Sequence, residues 1–167
     1  EAHVSLGNIA FREKRYEEAL DHYQQAWTGY ERMGDLMYNL QADRFNDAQE
    51  AISDLRDAIQ SIETGKVKIP VPDMRIIDLQ SSIQNLQIIK QPNRSSLHRP
   101  PGELSFLIGN AQYHLGRLEE AVTAWEACAQ RTPDFPLVHN NLAVGYLKLG
   151  KNQPAAESLH RAEALGM

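Results

Sequence analysis

Six histidines, a single cysteine and 22 carboxylates are the side chains of this 167-residue sequence that could hold a metal, act as a nucleophile or move a proton. Their spacing decides whether they do. His3, His22, His98, His114, His139 and His160 form no HExxH motif and no pair at i, i+4, so metal ligation would need a cluster that only tertiary structure could assemble. The run Gly109 to Gly116 has the wrong glycine spacing for a phosphate loop, and no Lys-Ser or Lys-Thr follows it. It reads as a helix and its C-cap. No GxSxG and no local Cys-His signature is present, and one cysteine excludes an internal disulfide or a multi-cysteine metal site. Cys128 stands among small residues at helical spacing and reads as an inert, packed thiol. The acidic pairs Glu17-Glu18 and Glu119-Glu120 fall in the first turns of helical patterns, where they complement the helix dipole. The reading is of a chain without catalytic machinery or cofactor.

The elements that would position these side chains follow a fixed period. Ile108, Gly109, Ala121, Trp125 and Cys128 are each followed 34 residues later by Leu142, Ala143, Ala155, Leu159 and Ala162, with Pro133 at the seam. Small residues at Gly109, Ala121, Ala143 and Ala155 allow paired helices to approach closely, while Tyr113, Leu118, Trp125, Tyr146 and Leu159 are expected to bury. Gly116 and Gly150 sit just past the last apolar residue of a first helix, the place for a left-handed cap, and Pro154 falls in the first turn of the next helix. A third copy opens the chain: Leu6-Gly7, Ala19, Tyr23 and Ala26 align with Ile108-Gly109, Ala121, Trp125 and Cys128, and RYEEA at 15–19 matches RLEEA at 117–121. Glu31 stands where the closing proline would be, so the second helix of this copy either runs on or stops at Met33-Gly34-Asp35.

A 34-residue helical hairpin with these residue types resembles the tetratricopeptide repeat (TPR). The resemblance implies an all-α fold of antiparallel helix hairpins stacked as a right-handed α-solenoid. It also implies a concave groove lined by the first helix of each repeat, and a protein or peptide partner within it. The groove positions would carry Val4, Asn8, Phe11 and Arg12, then Phe106, Asn110, Tyr113 and His114, then Asn140, Val144, Leu147 and Lys148. Asn8, Asn110 and Asn140 could pair with an extended peptide backbone or serve internal hydrogen bonds. The aromatic residues would supply pockets. Loss of Asn110 and Tyr113 together is expected to abolish partner capture with helicity and melting unchanged. Val4 and Phe106 stand where a carboxylate-clamping subfamily has lysine, and Val144 breaks its amide set, so a more apolar ligand or a protein surface fits better.

The expected organisation is a hairpin at 1–34, a degenerate repeat or long helix at 35–63 packed on it, an insert at 64–102, and repeats at 103–135 and 136–167. Ala48, Ile52, Leu55, Ile59 and Ile62 form a seam for internal packing or a homodimeric coiled coil. Within the insert, Pro70 and Pro72 predict extended chain from Val67 to Val71, and Asp73 should cap an amphipathic helix over 74–90. That helix has Ile76, Leu79, Ile83 and Leu86 on one face. It has no partner at repeat spacing and could lie in the groove of its own chain or of a neighbour, as an oligomerisation part. Residues 90–102 read as an exposed linker or a basic docking loop, with a glycosylation-type triplet Asn93-Arg94-Ser95. A net charge of −5 speaks against general nucleic-acid affinity, and no apolar run approaches the roughly 20 residues of a membrane span. The chain begins at Glu1, inside a helical pattern, and reads as a piece of a longer protein; the compartment is not legible.

Overall fold

The structure, a computed structural model, describes residues 2–94 and 99–167. Ser95 of the glycosylation-type triplet and His98 lie outside the described residues. Among the described residues seven helices run in order: α1 (Ala2–Arg12), α2 (Tyr16–Glu63), α3 (Pro72–Gln87), α4 (Gly102–His114), α5 (Leu118–Arg131), α6 (Pro136–Lys148) and α7 (Asn152–Ala164). The fold is all-α. The chain divides into two compact units, one of residues 1–32 and 99–167, the other of 33–98.

In the first unit three hairpins stack: α1 with the start of α2, α4 with α5, and α6 with α7. Each first helix ends in the same way. Arg15 N–H donates to Ala10 O, Arg117 N–H to Gln112 O and Lys151 N–H to Tyr146 O, each at 2.9 Å, which closes a Schellman turn around a left-handed residue. Gly116 (φ 80°) and Gly150 (φ 71°) fill that position in the later hairpins. Lys14 (φ 62°) fills it in the first, where a side chain pays a steric penalty that glycine avoids.

Two core clusters hold the stack together. Ala10, Ala19, Leu20, Tyr23 and Ala26 of the first hairpin bury against Leu104 and Ala111 of α4, so the first and second copies are direct neighbours in space. Arg117 also pairs with Glu17 at 2.7 Å. The second cluster joins Ala121, Val122, Trp125 and Cys128 to Val138 and Leu142 of α6. Leu159, expected in the core, is 47% exposed on α7.

The two strands of chain that enter and leave the second unit are tied together inside the first. Tyr30 and Pro101 line one small cavity of about 340 Å³. Arg131 donates through Nη1 to Pro100 O at 2.6 Å while its guanidinium covers Trp27 at 5.0 Å from the ring centre.

In the second unit α2 runs unbroken through Gly34 and Asp35 to Glu63. Ala48 and Ile52 of the seam are buried, and Leu55, Ile59 and Ile62 are half-buried, as are Ile76, Leu79, Ile83 and Leu86 of α3. The intervening segment departs from expectation. Val67 N–H returns to Ser61 O at 3.1 Å, and Val71 is left-handed (φ 55°), not extended. Pro72, with its fixed φ and missing donor, takes the first helical position. Asp73 therefore falls in the first turn and caps nothing. The helix ends at Gln87, three residues short of the expected 90. Arg94 of the basic linker folds back on its own unit, pairing with Asp35 at 3.2 Å and covering Tyr38 at 4.6 Å.

Candidate functional site

The first helices α1, α4 and α6 bring five of the twelve groove residues to one place. A cavity of about 310 Å³ is lined by Phe11 from α1, by Asn110, Tyr113 and His114 from α4, and by Asn141 and Val144 from α6, with Trp125 of α5 behind. A continuous aromatic path runs along it. Tyr16 stacks on His114 (4.6 Å, 9°), Phe11 meets both edge-on at 5.2 and 5.4 Å, Tyr113 meets His114 at 5.8 Å, and Tyr113 lies 5.6 Å from Trp125. Lys148 extends the path to α6, its ammonium 4.6 Å from the Tyr113 ring centre.

The asparagines take their positions for an internal reason. Gly7 and Gly109 leave room for a large ring: a Cβ at Gly7 would stand 2.4 Å from Tyr23, and one at Gly109 would stand 2.5 Å from Trp125. Each ring lies against its glycine with its polar tip reaching the next residue. Tyr23 Oη donates to Asn8 Oδ1 at 2.9 Å, and Trp125 Nε1 donates to Asn110 Oδ1 at 3.0 Å. In the third hairpin the corresponding residue is Leu159, which has no donor, and the asparagine position is Val144. The break in the amide set thus follows the loss of the donor. Asn110 Oδ1 also accepts from Asn141 Nδ2 at 2.9 Å, which locks α4 to α6.

This corrects one expectation. Asn110 is a structural acceptor serving a tryptophan that is only 2% exposed, so its removal cannot leave melting unchanged. Its Nδ2 is not used in these bonds and can still donate into the cavity. Asn141, not singled out in the sequence, lines the cavity where Asn140 does not. Its signal was available only as half of an Asn-Asn doublet.

Of the remaining candidates, Phe106 is engaged edge-on with Phe135 at 4.9 Å and belongs with the second core cluster. Val4 packs on the first. Arg12 is exposed and has no ion pair among the described residues, and Leu147 is 59% exposed. His3 and His22 approach to 3.4 Å between their Nδ1 atoms, but no third ligand joins them: among the described residues no group of three His, Cys, Asp or Glu could hold a metal. Cys128 is buried, and burial pushes its thiol up, with the Thr132 hydroxyl at 3.4 Å acting in the other direction. Among the described residues no helix is long and apolar enough to cross a membrane.

Two family models match the chain. The family model described as TPR repeat matches residues 109–164, and the one described as tetratricopeptide repeat matches residues 1–26. No curated protein matches the chain. Among solved structures, MamA MSR-1 is 17% identical with a TM-score of 0.37, covering 98% of this chain and 94% of that one. MamA from Desulfovibrio magneticus RS-1 is 16% identical with a TM-score of 0.38, covering 98% and 93%.

Proposed function

Since this chain is a tetratricopeptide repeat protein, and so a scaffold for protein interaction, we propose that it captures a protein or peptide segment along the face made by α1, α4 and α6. The observation that carries this reading is the convergence of Phe11, Tyr113, His114, Asn141 and Val144, from three successive hairpins, on one cavity. Its walls are aromatic and aliphatic. Its polar groups include two donors: the Asn110 amide nitrogen, which can meet a backbone carbonyl, and Lys148, held by Tyr113. Asn140 and Arg12, on the same helices, have no bond partner among the described residues and are available to a ligand. The fitting ligand is an extended segment with one apolar or aromatic side chain for the cavity and backbone carbonyls for the amides.

The test is capture of peptides from a random library by the intact chain and by Val144→Arg. That substitution drives a long charged side chain into the cavity from an exposed position and touches no internal hydrogen bond. The expected result is enrichment of peptides sharing an apolar anchor, lost in the variant at unchanged melting. Equal capture by both would remove the face from consideration. A companion protein lacking the second unit should be cut at 33 and 98 and joined by a short linker, since Tyr30 and Pro101 line one cavity. A deletion of 66–101 would strand the end of α2 roughly 45 Å along the helix from Met33.

A further inference from the structure

A further cavity of the first unit, about 750 Å³, lies on other helices, between the first part of α2 and α5 over the side of α4. Small side chains make it a trough: Thr28 on one wall, Ala124 and Ala127 on the other, with Trp27 and Ile108 supplying apolar surface. From Glu119 to Ala127 it follows α5 for roughly 12 Å, about two helical turns.

Its polar groups are incomplete. Ser105 is 2% exposed, yet its hydroxyl has no hydrogen-bond partner, not even the backbone one turn earlier that a helical serine usually finds. Gln112 Oε1 is likewise buried and unpartnered. A buried polar atom without a partner is destabilising. Two in one trough, both lining it, mark a place where a ligand's polar groups fit. At one end stand Glu119 and Glu120, which form no ion pair among the described residues, and no lysine or arginine lines the trough.

We propose that this trough is a second docking site, and that its occupant is an apolar segment of a partner protein carrying a lysine or arginine. The cation meets Glu119 and Glu120 at one end, apolar side chains lie on Trp27, Ala124 and Ala127, and a polar group of the segment completes Ser105 and Gln112. Charge complementarity selects this occupant, since Glu119 and Glu120 are the charged residues that line the trough. The site shares no residue with the cavity on α1, α4 and α6, so it stands or falls independently of that reading.

The experiment is a two-dimensional ¹⁵N NMR titration of the whole chain with three probes. The first is an acetylated, amidated alanine-leucine helical peptide with lysine one turn before two leucines. The second has glutamate in place of that lysine, and the third is Nα-acetyl-lysine methylamide. The proposal expects the lysine peptide to shift the Trp27 indole, the Ser105 amide and the Gln112 side-chain amide. It expects binding at least tenfold tighter than that of the glutamate peptide, and no response to the acetyl-lysine probe. Glu119→Gln with Glu120→Gln should weaken the lysine peptide about tenfold, and Ala127→Phe should block it by filling the trough. Equal binding of the two peptides would overturn the proposal, as would shifts confined to Asn141 and Val144, no shift with any probe, or equal response to acetyl-lysine alone.

Discussion

Replacing Asn110 by alanine separates a ligand-binding asparagine from a structural one, and the structure sets the size of the effect. Asn110 Oδ1 accepts from Trp125 Nε1 at 3.0 Å and from Asn141 Nδ2 at 2.9 Å. Because Trp125 is 2% exposed, water cannot replace the lost acceptor, and an orphaned buried donor costs about 1–3 kcal/mol. The lost bond to Asn141, at a half-buried site, adds about 0.5–1.5 kcal/mol. Alanine's better helix propensity returns about 0.5 kcal/mol. The net expectation is a loss of about 1–4 kcal/mol, equivalent to a fall in Tm of about 2–16 °C for a chain of this size. Circular-dichroism melting of Asn110→Ala beside Asn140→Ala is the assay. Asn140 has no bond to lose among the described residues and should change stability by no more than about 0.5 kcal/mol. In a Trp125→Phe background, where the indole donor is absent, Asn110→Ala should lose at least about 1 kcal/mol of its effect. If Asn110→Ala melts with Asn140→Ala and with the parent, the internal role assigned to this amide is refuted.

Two further outcomes follow from the same coordinates. Lys14→Gly should raise stability by about 0.5–1 kcal/mol, because it places glycine at the left-handed position that Gly116 and Gly150 fill in the other hairpins; a lower Tm in thermal melts would contradict this. Burial pushes the Tyr23 phenol up to about 12, and burial together with the Glu126 carboxylate, which accepts from it at 2.6 Å, pushes Tyr146 up to about 12. Both values lie above the unfolded value of about 10, so the folded state holds these protons more tightly. Their contribution is complete below pH 10 and is lost as pH rises from about 10 to 12. Denaturant melts across that window should show stability falling, and Tyr23→Phe should flatten the slope. A slope unchanged by Tyr23→Phe would place the alkaline sensitivity elsewhere.

How far the sequence carried the fold depended on which positions are bound to the period. Gly116 and Gly150 announced their turns, because a left-handed cap after an apolar position has few other uses. The small residues facing Tyr23 and Trp125 were legible for the same steric reason. The adjacency of the first two copies was not. Their separation is a multiple of the period and reads as missing units between them, whereas contact depends on which apolar faces meet, and Leu104 and Ala111 meet Tyr23 and Ala26. Nor did the sequence separate a ligand-facing amide from an internal one. The discriminating feature was present, since Asn8 and Asn110 each stand fifteen residues before a ring bearing a donor, while Val144 precedes Leu159 by the same interval. Reading it required knowing that the two helices cross there. Val71 departs from the extended region that a residue before proline favours, and at φ 55° it stands where a β-branched side chain is rarely found, so no local rule of sequence announces it.

Arg131, bridging Trp27 and Pro100, has a consequence for the order in which the molecule comes together. As the chain emerges from a ribosome, the first hairpin is complete well before its neighbour exists. All of Met33–His98 must be made in between, which at about 5–20 residues per second takes several seconds. Throughout that interval the surface of Tyr23 and Ala26 that Leu104 will cover is open to wrong partners. The inserted unit shortens the search once it folds, because Arg94 returning to Asp35 brings the departing chain back toward its point of exit and removes most of the loop-closure entropy. Substitutions that weaken α2–α3 should therefore slow assembly of the repeat stack while leaving the finished stack's unfolding rate nearly unchanged.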